Sequence, residues 1–230
     1  MIAGGMAEGL VAYAVLPEGV LPAPDMRGLE GAPTHAVEAE GLALWVSAHH
    51  HAPPPGAAAA QAHHAVVAAA LAGGVTPVPL RFGQWLEDTA AAHRVLRERA
   101  AEWHETLERL AGMVELGVRA EPGRAGSAAR SVRSGGAMDG TAYMRSLLER
   151  HAERRATTAD AQALADALHA AGADWIRQEV VDTRPAWLSV AYLVGRDDAR
   201  PLRDALQRTA RERAVGSFAV TGPWPPYSFT

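Results

Sequence analysis

Short runs of apolar residues alternate along the chain with stretches of helical spacing, and the order in which the two periods follow one another predicts an α+β protein. Leu10 to Leu16, Pro33 to Ala39 and Leu42 to Ala48 read as strands, and the turn pair Glu40-Gly41 joins the last two as a hairpin. His51 to Gly56, with three consecutive prolines, is a breaker. The Ala-rich stretch from Ala57 to Leu71 then favours helix and is closed by Gly73-Gly74. Val75 to Phe82 alternates but contains Pro77 and Pro79, which cannot donate to a ladder, so it is expected as an edge strand. Trp85 to Leu110 carries an amphipathic stripe through Leu86, Val95, Leu96, Trp103, Leu107 and Leu110, which predicts a helix with a break near Thr89. Val114 to Ala120 returns to strand alternation.

The segment 122–139 is poor in large apolar residues and rich in Gly, Ser and Arg, so it is expected as a linker that adds little to any core. Beyond it, Thr141 to His169 reads as one long or two consecutive helices. A strand from Trp175 to Val181, a turn at 183–185, a strand from Trp187 to Val194, a helix from Pro201 to Arg213 and a strand from Gly216 to Val220 follow. The halves thus read β-β-β-α-β-α-β and α-β-β-α-β. This predicts an N-terminal α+β domain over 1–121 with an antiparallel or mixed sheet, the linker, a C-terminal domain over 140–222 close to a ferredoxin-like arrangement, and a Pro/aromatic tail over 223–230.

Composition narrows the picture. At 230 residues and 48% hydrophobic, the chain is long enough for one large or two small cores. There is no Cys, so disulfides and thiolate metal sites are excluded and a cytoplasmic setting is expected. The N-terminal stretch lacks a basic region and stops at Pro17, which argues against a secretory signal, and no run approaches the roughly 18 apolar residues of a spanning helix. All 22 basic side chains are Arg, the net charge is −4, and no basic patch of the kind that binds nucleic acid is apparent.

Three segments, in order, resemble the GvpF/GvpL family of gas vesicle proteins. They are the opening strand LVAYAVLP with Gly28-Leu29-Glu30-Gly31, the stretch Val75 to Asp88 with its Arg81-Phe82-Gly83 motif, and the ending Val220 to Phe229. Gly140 to Met144 is similar to a helix start in that family, with Met where Leu is usual, and the 121–139 segment departs from the longer charged stretch of many relatives. The resemblance implies a two-domain α+β accessory or minor component of gas vesicles. It implies association with the hydrophobic shell protein and other gas vesicle proteins, and binding rather than catalysis.

Arg81, Phe82 and Trp85 sit where an edge strand hands over to a helix, a place that can hold a carboxylate or a partner's backbone; equally, the two aromatics can be core and Arg81 a structural ion pair. In the tail, three prolines forbid a central strand while Trp224, Tyr227 and Phe229 demand burial, so packing back onto the first domain is favoured over partner docking. His49-His50-His51 with His63-His64 is the most tempting metal cluster, but adjacent histidines on a strand point to opposite faces and prolines intervene, so no metal or other cofactor is expected. No Ser-His-Asp signature or Gly-rich phosphate loop is recognisable. The alternative is a small enzyme or ligand-binding protein built on ferredoxin-like halves, with Arg81 and a histidine lining a pocket.

Overall fold

The computed structural model describes residues 9–121, 158–184 and 187–230. The expected linker over 122–139 and the helical stretch before residue 158 lie outside the described residues. By contacts the chain divides into one compact unit of residues 1–115 with 223–230 and a second of residues 116–222.

The first unit is built on β1 (Gly9–Pro17), β2 (Thr34–Ala39), β3 (Leu42–His49) and two short strands, β4 (Val78–Pro79) and β5 (Trp85–Leu86). Their order is β2-β3-β1-β4, with β5 also on β1, and every pairing is antiparallel. The β2–β3 hairpin turns at Glu40 and Gly41, with φ of 57° and 74°, the two left-handed positions of a tight hairpin turn whose twist matches its strands. His104 donates from Nε2 to the Glu40 carbonyl at 2.8 Å and holds that turn.

β1 shows why its sequence runs apolar without alternation: helices cover both faces of this sheet. Leu10, Ala12 and Val15 join Val37, Leu44 and Val46 under α2 (Thr89–Glu98) and α3 (Ala100–Leu110). Val11, Tyr13, Ala14 and Leu16 join Trp45 and Leu29 under α1 (Ala57–Ala72). Tyr13 and Ala14 share a face because β1 bulges between Ala12 and Ala14. α1 ends as its glycines foretell: Gly74, at φ 96°, donates to Leu71 O at 3.1 Å, and Val75 donates to Ala70 O at 3.2 Å.

The helix expected from Trp85, with a break near Thr89, is corrected before that break. Trp85 and Leu86 pair with Val11 and Leu10 of β1, and the helix starts only at Thr89, where the Asp88 carboxylate caps Ala91 N–H at 2.7 Å. Arg99 then breaks the helix into α2 and α3. The apolar stripe was real, but strand pairing took its first turn. The expected edge strand over Val75–Phe82 is likewise shorter, with Val78 and Pro79 alone assigned to it.

In the second unit, β6 (Met113–Glu121), β7 (Ile176–Arg184), β8 (Trp187–Gly195) and β9 (Ser217–Trp224) form a sheet of order β7-β8-β6-β9. Residues 158–172 form α4, and Ala199–Glu212 form α5. The chain order β6-α4-β7-β8-α5-β9 with that strand order is the split βαβ arrangement expected of a ferredoxin-like unit. Sequence order had put β6 with the first half, yet it hydrogen-bonds within the second sheet. Ala161, Leu164, Ala165 and Leu168 of α4 and Leu202, Ala205 and Leu206 of α5 form the helical side of this core. Gly172 lets the two helices close up, because a Cβ there would strike the Leu202 side chain.

A buried polar chain fixes the Gly28–Gly31 turn to the first sheet. Tyr13, 0% exposed, accepts from Leu29 N–H at 2.9 Å and lies 2.6 Å from Ser47 Oγ, which is 2.8 Å from His49 Nε2. Burial pushes the Tyr13 phenol up, against the pull of Ser47 and Leu29, so it stays protonated. Gly28 is required because a Cβ would collide with the Tyr13 hydroxyl. Tyr13→Phe strands the Leu29 donor and one Ser47 bond, and is expected to cost about 1–3 kcal/mol. A lowered urea midpoint with an unchanged slope checks this, and an unchanged midpoint rejects it.

Candidate functional site

The edge of the first sheet is broken where the Arg-Phe-Gly motif falls. Ala14 pairs with Pro79 and Val11 with Trp85, so three steps along β1 face six along the edge, and Arg81-Phe82-Gly83 loops out. The loop is pinned on both sides, by Leu80 N–H to Tyr13 O at 2.9 Å and Ala12 N–H to Gln84 O at 3.0 Å. Gly83 sits at φ 86°, a left-handed position that an L side chain would strain.

The motif's side chains part company. Phe82 and Trp85 pack, half-buried, on the α1 side of the sheet. The Phe82 ring meets His63 edge-on at 5.7 Å, and Trp85 lies across Gly9, which could carry no Cβ. Arg81 is exposed and, among the described residues, has no carboxylate partner. The structural ion pair considered for it is therefore absent there. Instead Arg81 borders a cavity of about 340 Å³ that Pro79, Gln84, Arg99, Glu102 and Trp103 also line. Within it, Arg99 grips Glu102 with Nε at 2.9 Å and Nη2 at 2.5 Å, and its guanidinium lies 4.7 Å from the Trp103 ring centre. That pairing spends Arg99, so Arg81 is the cation left to meet an incoming carboxylate.

The tail lies against the first unit. Phe229 is 5% exposed, and its carbonyl accepts from Arg109 Nη2 of α3 at 2.8 Å. Glu115, itself buried, accepts from both Ser228 N–H at 2.8 Å and Ser228 Oγ at 3.0 Å. On α1, His64 Nδ1 shares a 2.9 Å hydrogen bond with the Tyr227 hydroxyl, and its ring meets Trp224 at 5.2 Å. Trp224 and Tyr227 nevertheless stay 38% and 36% exposed. The tail thus buries one aromatic and shows two. Glu115, Arg109 and His64, which hold it, were missed from sequence; a lone acid inside the apolar strand Val114 to Val118 was the one signal available.

The histidines disperse to separate tasks. His49 joins Ser47, with Glu30 at 3.4 Å from its Nδ1, while His63 Nε2 donates to Leu80 O at 3.1 Å and His64 meets the tail. Among the described residues no group of three or more His, Asp or Glu is placed to hold a metal ion. Glu30, His49 and Ser47 line up as an acid, base and nucleophile would, but Ser47 is 0% exposed and its hydroxyl is engaged between Tyr13 and His49.

Fold and site together define a two-unit α+β protein whose chain returns at its end to lock onto its first unit. Residues 9–230 match the family described as gas vesicle synthesis protein GvpL/GvpF, and the chain belongs to that family. Two solved structures share the fold. The gas vesicle protein GvpF from Anabaena sp. PCC7120 aligns with a TM-score of 0.73 at 15% identity, over 96% of this chain and 98% of that one. GvpF from Microcystis aeruginosa aligns with a TM-score of 0.72 at 17% identity, over the same shares. No curated protein sequence matches the chain. No helix among the described residues is long and apolar enough to cross a membrane.

Two measurements test the site's electrostatics. Glu115→Ala removes both acceptors of Ser228, so amides 227–229 are expected to lose hydrogen-exchange protection at least tenfold, about 1.4 kcal/mol of local opening. Retained protection would show that Arg109, His64 and the burial of Phe229 hold the tail without Glu115. Burial lowers the His63 pKa, only partly offset by its bond to Leu80 O, so between the folded and ordinary values the unfolded chain binds more protons. Its contribution to stability is full above about pH 6.5 and is lost as pH falls below it. Glu115 shifts the opposite way, raised by burial against its bonds to Ser228, and its contribution fades as pH rises through its folded value. His63→Gln is therefore expected to flatten the fall in urea midpoint between pH 7.5 and 5.5 relative to the parent, and identical slopes reject the assignment.

Proposed function

We propose that this protein is an accessory or minor structural component of gas vesicles that binds the hydrophobic shell protein and supports assembly. It acts in the cytoplasm by binding, alongside other gas vesicle proteins, and not by catalysis. The observation that carries this reading is Arg81, without a carboxylate partner among the described residues, beside the cavity at the broken edge of the first sheet. A shell subunit with a large apolar face aggregates in water unless something covers it or seeds its assembly. An interrupted edge offers backbone groups, and beside the cavity Arg81 offers one charge to set orientation. The half-exposed Trp224 and Tyr227 extend the apolar surface of the same unit.

The test is capture of co-expressed shell protein by the purified full chain. Arg81→Glu is expected to reduce capture about tenfold while moving stability by no more than about 0.5 kcal/mol, as exposed positions do. Removing residues 223–230 is expected to lower both capture and the unfolding midpoint, since that deletion also strips Glu115 and Arg109 of their partners. Failure of the parent chain to capture the shell protein overturns the proposal.

A further inference from the structure

The second unit leaves one side of its sheet open next to a helix. β9 ends the order β7-β8-β6-β9, so among the described residues one row of its N–H and C=O groups has no strand partner. The usable ladder is Ser217–Thr221, because Gly222 O is taken by Arg203 Nη2 at 2.5 Å and Pro223 has no N–H. Beside it, α5 closes with Ala214 donating to Arg211 O and Val215 to Ala210 O, both at 3.0 Å, and Ala214 held at φ 49°. Val215 thereby walls a groove of about 420 Å³, with Gln207 and Arg211 from α5 and Phe218 and Val220 from β9.

Phe218 and Val220 stand two apart, hence on one face of β9, and both stay only half-buried although they face the helix. Among the described residues, Arg211 is the one charged side chain lining the groove, and its side chain has no hydrogen bond or ion pair there. An open ladder, apolar walls at every second residue and a single unpaired cation are what an added strand would use.

We propose that this groove receives an extended segment of a partner polypeptide, paired along Ser217–Thr221, whose groove-facing alternate positions carry apolar side chains against Phe218 and Val220 and one carboxylate on Arg211. A second copy pairing β9 with β9 would bring no counter-charge, since Ser217–Trp224 contains no acidic residue. The site belongs to the second unit and does not depend on Arg81.

The probe is a capped eight-residue peptide with threonine at every second position and, on the face between them, valines with one terminal glutamate, titrated into the ¹⁵N-labelled full chain. Shifts are expected within residues 207–221, with about tenfold preference over the same peptide with lysine in place of glutamate, a charge-pair contribution of about 1.4 kcal/mol. Arg211→Glu should reverse that preference and Arg211→Lys should keep it. An N-methylated form of the glutamate peptide, which cannot complete the ladder, should bind at least tenfold more weakly. The proposal is overturned by absence of binding, by shifts elsewhere, by a preference that ignores residue 211, or by equal binding of the N-methylated peptide. Self-association that shifts 207–221 without peptide would likewise overturn it, assigning the groove to a second copy.

Discussion

The first unit depends on a strand with no solvent face. β1 is apolar from Leu10 to Leu16, and α1 covers one side of it while α2 and α3 cover the other. A strand so placed can hold no unpaired polar group without cost, and its one polar side chain, Tyr13, is accordingly bonded twice. Those bonds fix the Gly28–Gly31 turn, and the backbone on either side of Tyr13 fixes the Arg81 loop, through Ala12 N–H and Tyr13 O. Two of the three motifs that carried the family resemblance therefore converge on one residue of one strand.

The third motif obeys the same physics from the opposite direction. Its prolines keep it out of the middle of any sheet, so beyond β9 its backbone is satisfied by its own turns and by side chains: Glu115 serves Ser228 and Arg109 serves Phe229. A buried carboxylate is costly on its own, but here it takes both donors of one residue. The price of burying Glu115 is visible in its raised pKa, which its bonds to Ser228 only partly offset. Trp224 and Tyr227 are left half-exposed over α1, where His64 braces them without covering them.

Element by element, the strands and helices were largely legible, because their signals are local. The Glu40-Gly41 hairpin, the Gly73-Gly74 helix end and the strand alternation of β6 all follow from residues within a few positions of one another. Trp85 was misread for a physical reason: its spacing suits α2, but it pairs with Val11 as strand, and Asp88, three residues on, supplies the cap from which the helix starts at Thr89. The long-range partners were not legible at all. Glu115 and Ser228 are 113 residues apart, and neither announces the other.

By itself the sequence determined the α+β class, most of the elements, the family motifs and the fact that the tail could not be a central strand. These follow from side-chain period, proline and glycine chemistry, and composition. Tertiary structure alone decided that β6 pairs in the second sheet, that Arg81 loops out while Phe82 and Trp85 turn inward, and that the histidines scatter to three different partners. Each of those depends on which distant backbone or side chain is present to accept a hydrogen bond, and that is set by packing and not by neighbours in the chain.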